Sequence, residues 1–207
     1  MSIITPFLLG IFTAILGIAP PGLINMTAVK VNLKEGKRTA LWFIFGAVLV
    51  IFCQALVAIV FARIITNRPD IILLLRQVGA FVFAALTIYF LWIAKKPKIK
   101  KGKIKIRSKK SRFFHGMLIS VLNLFPIPYY VFISITLASY QLFSFDLSAI
   151  LIFVTGVTTG SFVVFYYYIS FFEKIQSKAD FFIKNMNTII GSITGFITVV
   201  TLINILN

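Results

Sequence analysis

A chain of 207 residues that is 59% hydrophobic and only 13% charged excludes an ordinary soluble domain. Several of its apolar runs reach the roughly 20 residues needed to cross a bilayer, so it reads as an all-α polytopic membrane protein. The net charge of +16 raises the question of nucleic acid, which the distribution of that charge answers below.

Six spans are expected, over Ile3–Val29, Ala40–Ala62, Ile71–Ala94, Phe113–Ser139, Leu147–Phe172 and Ile183–Leu206. They form a single integral membrane domain over residues 1–207, with a first half to about residue 94, a basic loop at about 95–112 and a second half from about 113. The start, Met1-Ser2-Ile3-Ile4, lacks the basic region of a secretory signal, and its apolar run is too long for one, so span one is expected to be retained. Pro20-Pro21-Gly22 then interrupts that span. Span two carries Gln54, a polar group expected to face the bundle rather than lipid, and Cys53, the sole cysteine, which excludes an intrachain disulfide. Arg76 lies near enough to the end of span three to snorkel outward.

Between spans three and four, Lys95 to Arg112 holds eleven of the 21 basic residues. Four more (Lys30, Lys34, Lys37, Arg38) lie between spans one and two, and three (Lys174, Lys178, Lys184) between five and six. Only Arg63, Arg68 and Arg76 remain for the opposite side. The positive-inside rule therefore places the loops after spans one, three and five in the cytoplasm and both termini outside. Trp42 and Trp92 agree, each near a cytoplasmic helix end. The Lys95–Arg112 loop has no aromatic residue on which a base could stack, so no nucleic-acid partner is expected. Anionic headgroups are the expected partner, each Lys or Arg near the surface contributing about 1 kcal/mol. Neutralising these lysines is expected to lower stability in vesicles of anionic lipid; unchanged stability and transport would leave them only a topological purpose.

Span four begins beside Arg112 and His115, the only histidine, read as an interfacial pair. It is then interrupted at Pro126-Ile127-Pro128 and continues with Tyr129 and Tyr130, whose hydroxyls want partners at lipid depth. Spans five and six carry Gly156-x-x-x-Gly160 and Gly191-x-x-x-Gly195, which let helix backbones approach closely. Packing of these two helices on each other or within the bundle is expected ahead of dimerisation, and a homo-oligomer stays open.

Three spans on each side of the basic loop force the second half to enter the membrane from the opposite face, so any repeat must be an inverted one, 3+3. The proline breaks in spans one and four support it. Asn25 follows Pro21 by four residues and Asn123 precedes Pro126 by three, helical spacings that place each asparagine on the face of its proline. Proline lacks the N–H that would serve the carbonyl four residues back, which leaves Leu16, Gly17, Leu122 and Leu124 as acceptors for an ammonium group. Beyond the first break Pro21 can open a new half-helix, whose free N–H groups and positive dipole end favour a carboxylate. A kinked site then offers both poles to a zwitterion. The alternative is that the prolines only bend helices for packing.

Gly17-Ile18-Ala19-Pro20-Pro21-Gly22-Leu23-Ile24-Asn25, six spans in about 200 residues, a long hydrophilic loop after span three, and Gly116 through Asn123-Leu124-Phe125-Pro126 together resemble the lysine exporter (LysE/RhtB-type) translocator superfamily. That resemblance implies export of amino acids or related metabolites driven by the proton-motive force. It maps the family's Pro-Gly-Pro-like motif onto Pro20, Pro21 and Gly22 in rearranged form. The Asn-Pro-Lys-like motif maps only onto Asn123 and Pro126, which are not adjacent and are followed by no lysine within the span.

All five acidic residues, Glu35, Asp70, Asp146, Glu173 and Asp180, fall in loops or at helix ends, so no buried carboxylate is expected as a proton relay. No histidine cluster, paired intramembrane carboxylates, nucleophile elbow or phosphate loop is present, so neither an enzyme, a metal nor a cofactor is expected. Two function classes remain. One is a secondary transporter whose substrate path is formed by Pro20, Pro21, Gly22, Asn25, Asn123, Pro126, Pro128 and Tyr129. The other is a non-transporting membrane protein, either a lipid-handling factor or a scaffold subunit.

Overall fold

The computed structural model describes residues 3–20, 22–66, 81, 84–85, 87–94 and 108–174, and single positions or short pieces between 185 and 203. The described residues are helical, without strands. Helices α1 (Ile4–Ile18), α2 (Leu23–Glu35) and α3 (Lys37–Thr66) are followed by a π-helical turn, Tyr89–Ile93. Then come α4 (Lys109–Leu122), α5 (Pro126–Ser139) and α6 (Leu147–Lys174). Two of these, α3 and α6, are each long and apolar enough to cross a membrane, and there are four such spans if each bent pair counts as one. Most of expected spans three and six, residues 95–107 of the basic loop and Pro21 lie outside the described residues, as do Arg68, Asp70, Arg76, Lys178, Asp180 and Lys184, while Lys109, Lys110 and Arg112 of that loop already belong to α4.

Expected span one is two helices rather than a kinked one, α1 and α2 meeting at 79°. The α1 ladder ends where Ala19 N–H reaches Ile15 O (2.8 Å), because Pro20 has no N–H to continue it. Span four divides likewise, with 62° between α4 and α5. Ser108 caps α4 by accepting from Ser111 N (3.2 Å), and Pro126 opens α5 at a position where its missing donor is not needed. The expected loop between spans one and two is reduced to one residue. Gly36, at φ 85°, turns α2 directly into α3, so Lys30 and Lys34 lie on α2 while Lys37 and Arg38 begin α3.

Close packing rests on glycines that face backbone. A Cβ at Gly10 would overlap the carbonyl of Phe153, and one at Gly156 the carbonyl of Phe7, locking α1 to α6. In the same way Gly46 faces the carbonyl of Phe113 and Gly116 that of Phe43, locking α3 to α4. Each of the four glycines ends a Phe-x-x-Gly sequence: Phe7 to Gly10, Phe43 to Gly46, Phe113 to Gly116 and Phe153 to Gly156. The displacement along the chain from Phe7 to Phe113 equals that from Pro20 to Pro126, so crossings and breaks share one register. Gly160 also meets α1, at Ile11 O, and Gly191 meets Leu91. The glycines of the two small-residue motifs therefore pack within the bundle, those of span five against span one and those of span six against span three.

Candidate functional site

At the first break the last carbonyls of α1 have no helical donors and, in an apolar bundle, must find others. Asn25, 3% exposed on the first turn of α2, turns back and donates to Ile18 O (2.7 Å) and Pro20 O (3.1 Å). Tyr168 of α6 donates its hydroxyl to Ala19 O (2.5 Å), beside Asn25. Pro20 is half-buried, and Gly22 is the N-cap of α2, with no side chain capping that end. The acceptors the structure brings into use are thus Ile18, Ala19 and Pro20, each taken by a protein donor, downstream of the Leu16 and Gly17 expected from the sequence. The reason is that the chain turns at Pro20, and the carbonyls beyond the last helical turn are the ones without a ladder.

At the second break Asn123 stands in extended backbone between the helices (φ −87°, ψ 90°), so it follows the end of α4 and shares no helical face with Pro126. Gln54 of α3 donates to the carbonyls of Asn123 (3.0 Å) and Ser120 (3.2 Å). Leu124 O, expected to be free, accepts from Ile127 N (3.2 Å) in the turn that starts α5. Pro126 is buried and Pro128 exposed. Tyr129 joins the two breaks. Its ring lies on Gly17, where a Cβ would come within 2.7 Å of Cε1, and its hydroxyl donates to Thr13 O (2.7 Å). It also stacks on Phe125, so a packing role and a polar role coincide in one side chain.

One end of the bundle holds an arrangement the sequence did not suggest. The Glu35 side chain, at the end of α2, is 1% exposed and forms a bidentate ion pair with Arg112 of α4, with Nε to Oε2 at 2.8 Å. Arg112 Nη1 is 3.0 Å from His115 Nδ1, and the His115 ring packs edge-on against Phe43 at 5.5 Å. The expectation of no buried carboxylate is corrected here: Glu35 does lie at a helix end, but the one-residue turn at Gly36 folds it under α4. A nearby tie, Lys37 Nζ over the Tyr166 ring at 4.4 Å, joins α3 to α6.

Each break is therefore held by a helix from the other half of the chain, α6 serving the first and α3 the second. Pairs of interrupted helices in corresponding positions of two halves are an arrangement found in membrane transporters. The sequence profile of the LysE type translocators matches residues 15–204. The chain belongs to this family. No curated protein and no solved structure matches it. The translocator is accordingly a multi-pass membrane protein, and the matched stretch contains both breaks and every residue expected in the substrate path. Sequence reasoning placed Gln54 inside the bundle without a partner and missed Tyr168 and the Glu35–Arg112 pair of this LysE-type chain. Tyrosine at positions 166, 167 and 168 of span five was the available signal for Tyr168, since a hydroxyl at lipid depth requires an acceptor.

Proposed function

We propose that this translocator is a secondary transporter that exports amino acids or related small polar metabolites across the cytoplasmic membrane, by alternating access around its two broken helices. The observation that supports this reading best is the seating of Tyr129, from the second break, on Gly17 and Thr13 of the first. Polar interruptions cost free energy in lipid, and joining two of them gathers that cost at one place. The proposed path runs along Pro20, Pro21, Gly22, Asn25, Asn123, Pro126, Pro128 and Tyr129. The uncapped start of α2 supplies N–H groups and a positive dipole end to a carboxylate. In this reading the two halves form the inverted 3+3 arrangement, the termini lie outside, and the basic loop rests on anionic headgroups.

Alternating access would break and remake the bonds that Asn25 donates. Purified protein in liposomes is expected to move a labelled amino acid or related metabolite, and Asn25→Leu to slow that movement about tenfold, from about 1.4 kcal/mol of unpaired carbonyl. Asn123→Leu is expected to reduce flux as well, with expression intact in both. No flux across a broad substrate panel, or two silent substitutions, would transfer the protein to the scaffold or lipid-handling class.

A further inference from the structure

Gln54 is 8% exposed at the middle of α3, and Ser120 of α4 is fully buried. Because the Gln54 amide nitrogen serves two carbonyls, its Oε1 is left buried with no donor, and the Ser120 hydroxyl is likewise without a partner. Turning the amide over does not help, since Oε1 would then face two carbonyl oxygens. Among the described residues Asn32 Oδ1 and Ser170 Oγ share this condition where α2 meets α6, but the other buried hydroxyls of the bundle do not. Thr13, Ser134, Thr158 and Ser161 each bond a carbonyl three or four residues back on their own helix. Two buried polar groups left unpaired on facing helices that already share a hydrogen bond call for a partner.

Acceptors predominate at that place. Gln54 Oε1 accepts only, a hydroxyl oxygen and the second lone pairs of the Ser120 and Asn123 carbonyls accept as well, and α4 ends at Leu122 with the negative end of its dipole directed here. Asn123 is half-buried beside them, and its side-chain amide offers a further oxygen acceptor along with its NH2 donors. No lysine or arginine occurs between Arg38 and Arg63 on α3 or between Arg112 and Lys174 on α4 to α6, so among the described residues these helices supply no cation at this depth.

We propose that Gln54, Ser120 and Asn123, with the carbonyls at the end of α4, form a subsite for a compact monovalent cation. Neutral oxygens at the end of an interrupted helix suit such a charge, which carbonyl and hydroxyl dipoles can replace water in solvating. The charge has two sources. One is an alkali ion bound for coupling. The other is the ammonium group of the cargo, a source that rests on the export reading.

Thermal unfolding of the full-length protein in detergent, at constant ionic strength, separates these. Replacing choline chloride by sodium, potassium or methylammonium chloride is expected to raise Tm saturably by about 2–4 °C. Gln54→Met and Ser120→Ala should each remove the increment; Ser120→Ala deletes only one hydroxyl and keeps the test available if Gln54→Met fails to fold. An increment with alkali ions alone assigns a bound ion, and one with methylammonium assigns the cargo's ammonium group. Because the readout needs no transport, an increment without liposome flux retains the subsite and sinks the export reading. Equal curves in all four salts, or an increment that survives both substitutions, would overturn the subsite.

Discussion

Arg112→Ala is expected to destabilise the protein by about 3–5 kcal/mol, the usual result of stranding one partner of a buried ion pair. Glu35 is the more deeply buried partner: its side chain is 1% exposed, against 12% for Arg112. The loss comes less from attraction forgone than from a buried carboxylate deprived of its bidentate cation. Replacing both residues by Ala should therefore cost less than the two single substitutions together, and Arg112→Lys should fall between, keeping the charge but losing the two-pronged geometry. Chemical unfolding in detergent measures all four. An Arg112→Ala protein within about 1 kcal/mol of the original would mean that water reaches Glu35 and that the pair is a surface contact. The pair also joins the far end of the first broken helix to the near end of the second, so its rupture is expected to loosen the halves at this end of the bundle.

The second large effect concerns the glycine crossings. Gly116→Ala and Gly46→Ala would each thrust a methyl group into a facing backbone carbonyl, Phe43 for the first and Phe113 for the second. Backbone cannot swing aside as a side chain does, so α3 and α4 must separate over their whole contact. Overpacking costs typically 1–3 kcal/mol, and the upper end, about 3 kcal/mol, is expected for each. Gly10→Ala and Gly156→Ala should act equally on α1 and α6. Gly22→Ala is the contrasting case: its nearest neighbour would be Pro20 O at 3.9 Å, an ordinary contact. Folding yield and Tm for the five substitutions check this, and a tolerated Gly116→Ala would refute the crossing as described.

The two proline breaks were legible because each is a local property of the chain: a residue without an N–H ends a ladder wherever it stands. Their exact wiring was not legible. Which carbonyl is left over depends on where the chain turns, and the turn at Pro20 moved the orphans to Ile18, Ala19 and Pro20. Asn25 was singled out for its spacing and does serve its own break, whereas Asn123 contributes its backbone to Gln54. The Phe-x-x-Gly sequence, present four times, was in plain view. Its meaning needed the partner carbonyls, because a lone Phe-x-x-Gly is unremarkable in any apolar helix.

By itself the sequence determined that this protein lives in a membrane, that its helices break at Pro20 and Pro126, and that it resembles a translocator family. Apolar length, missing donors and short motifs depend only on neighbours in the chain. Tertiary structure alone decided that Tyr168 serves Ala19, that Gln54 serves Asn123, that Tyr129 lies across both breaks and that Glu35 is buried under Arg112. Each of these pairs unites residues far apart in sequence, and what unites them is the requirement that polar groups in an apolar bundle take partners from whichever helix packing brings near.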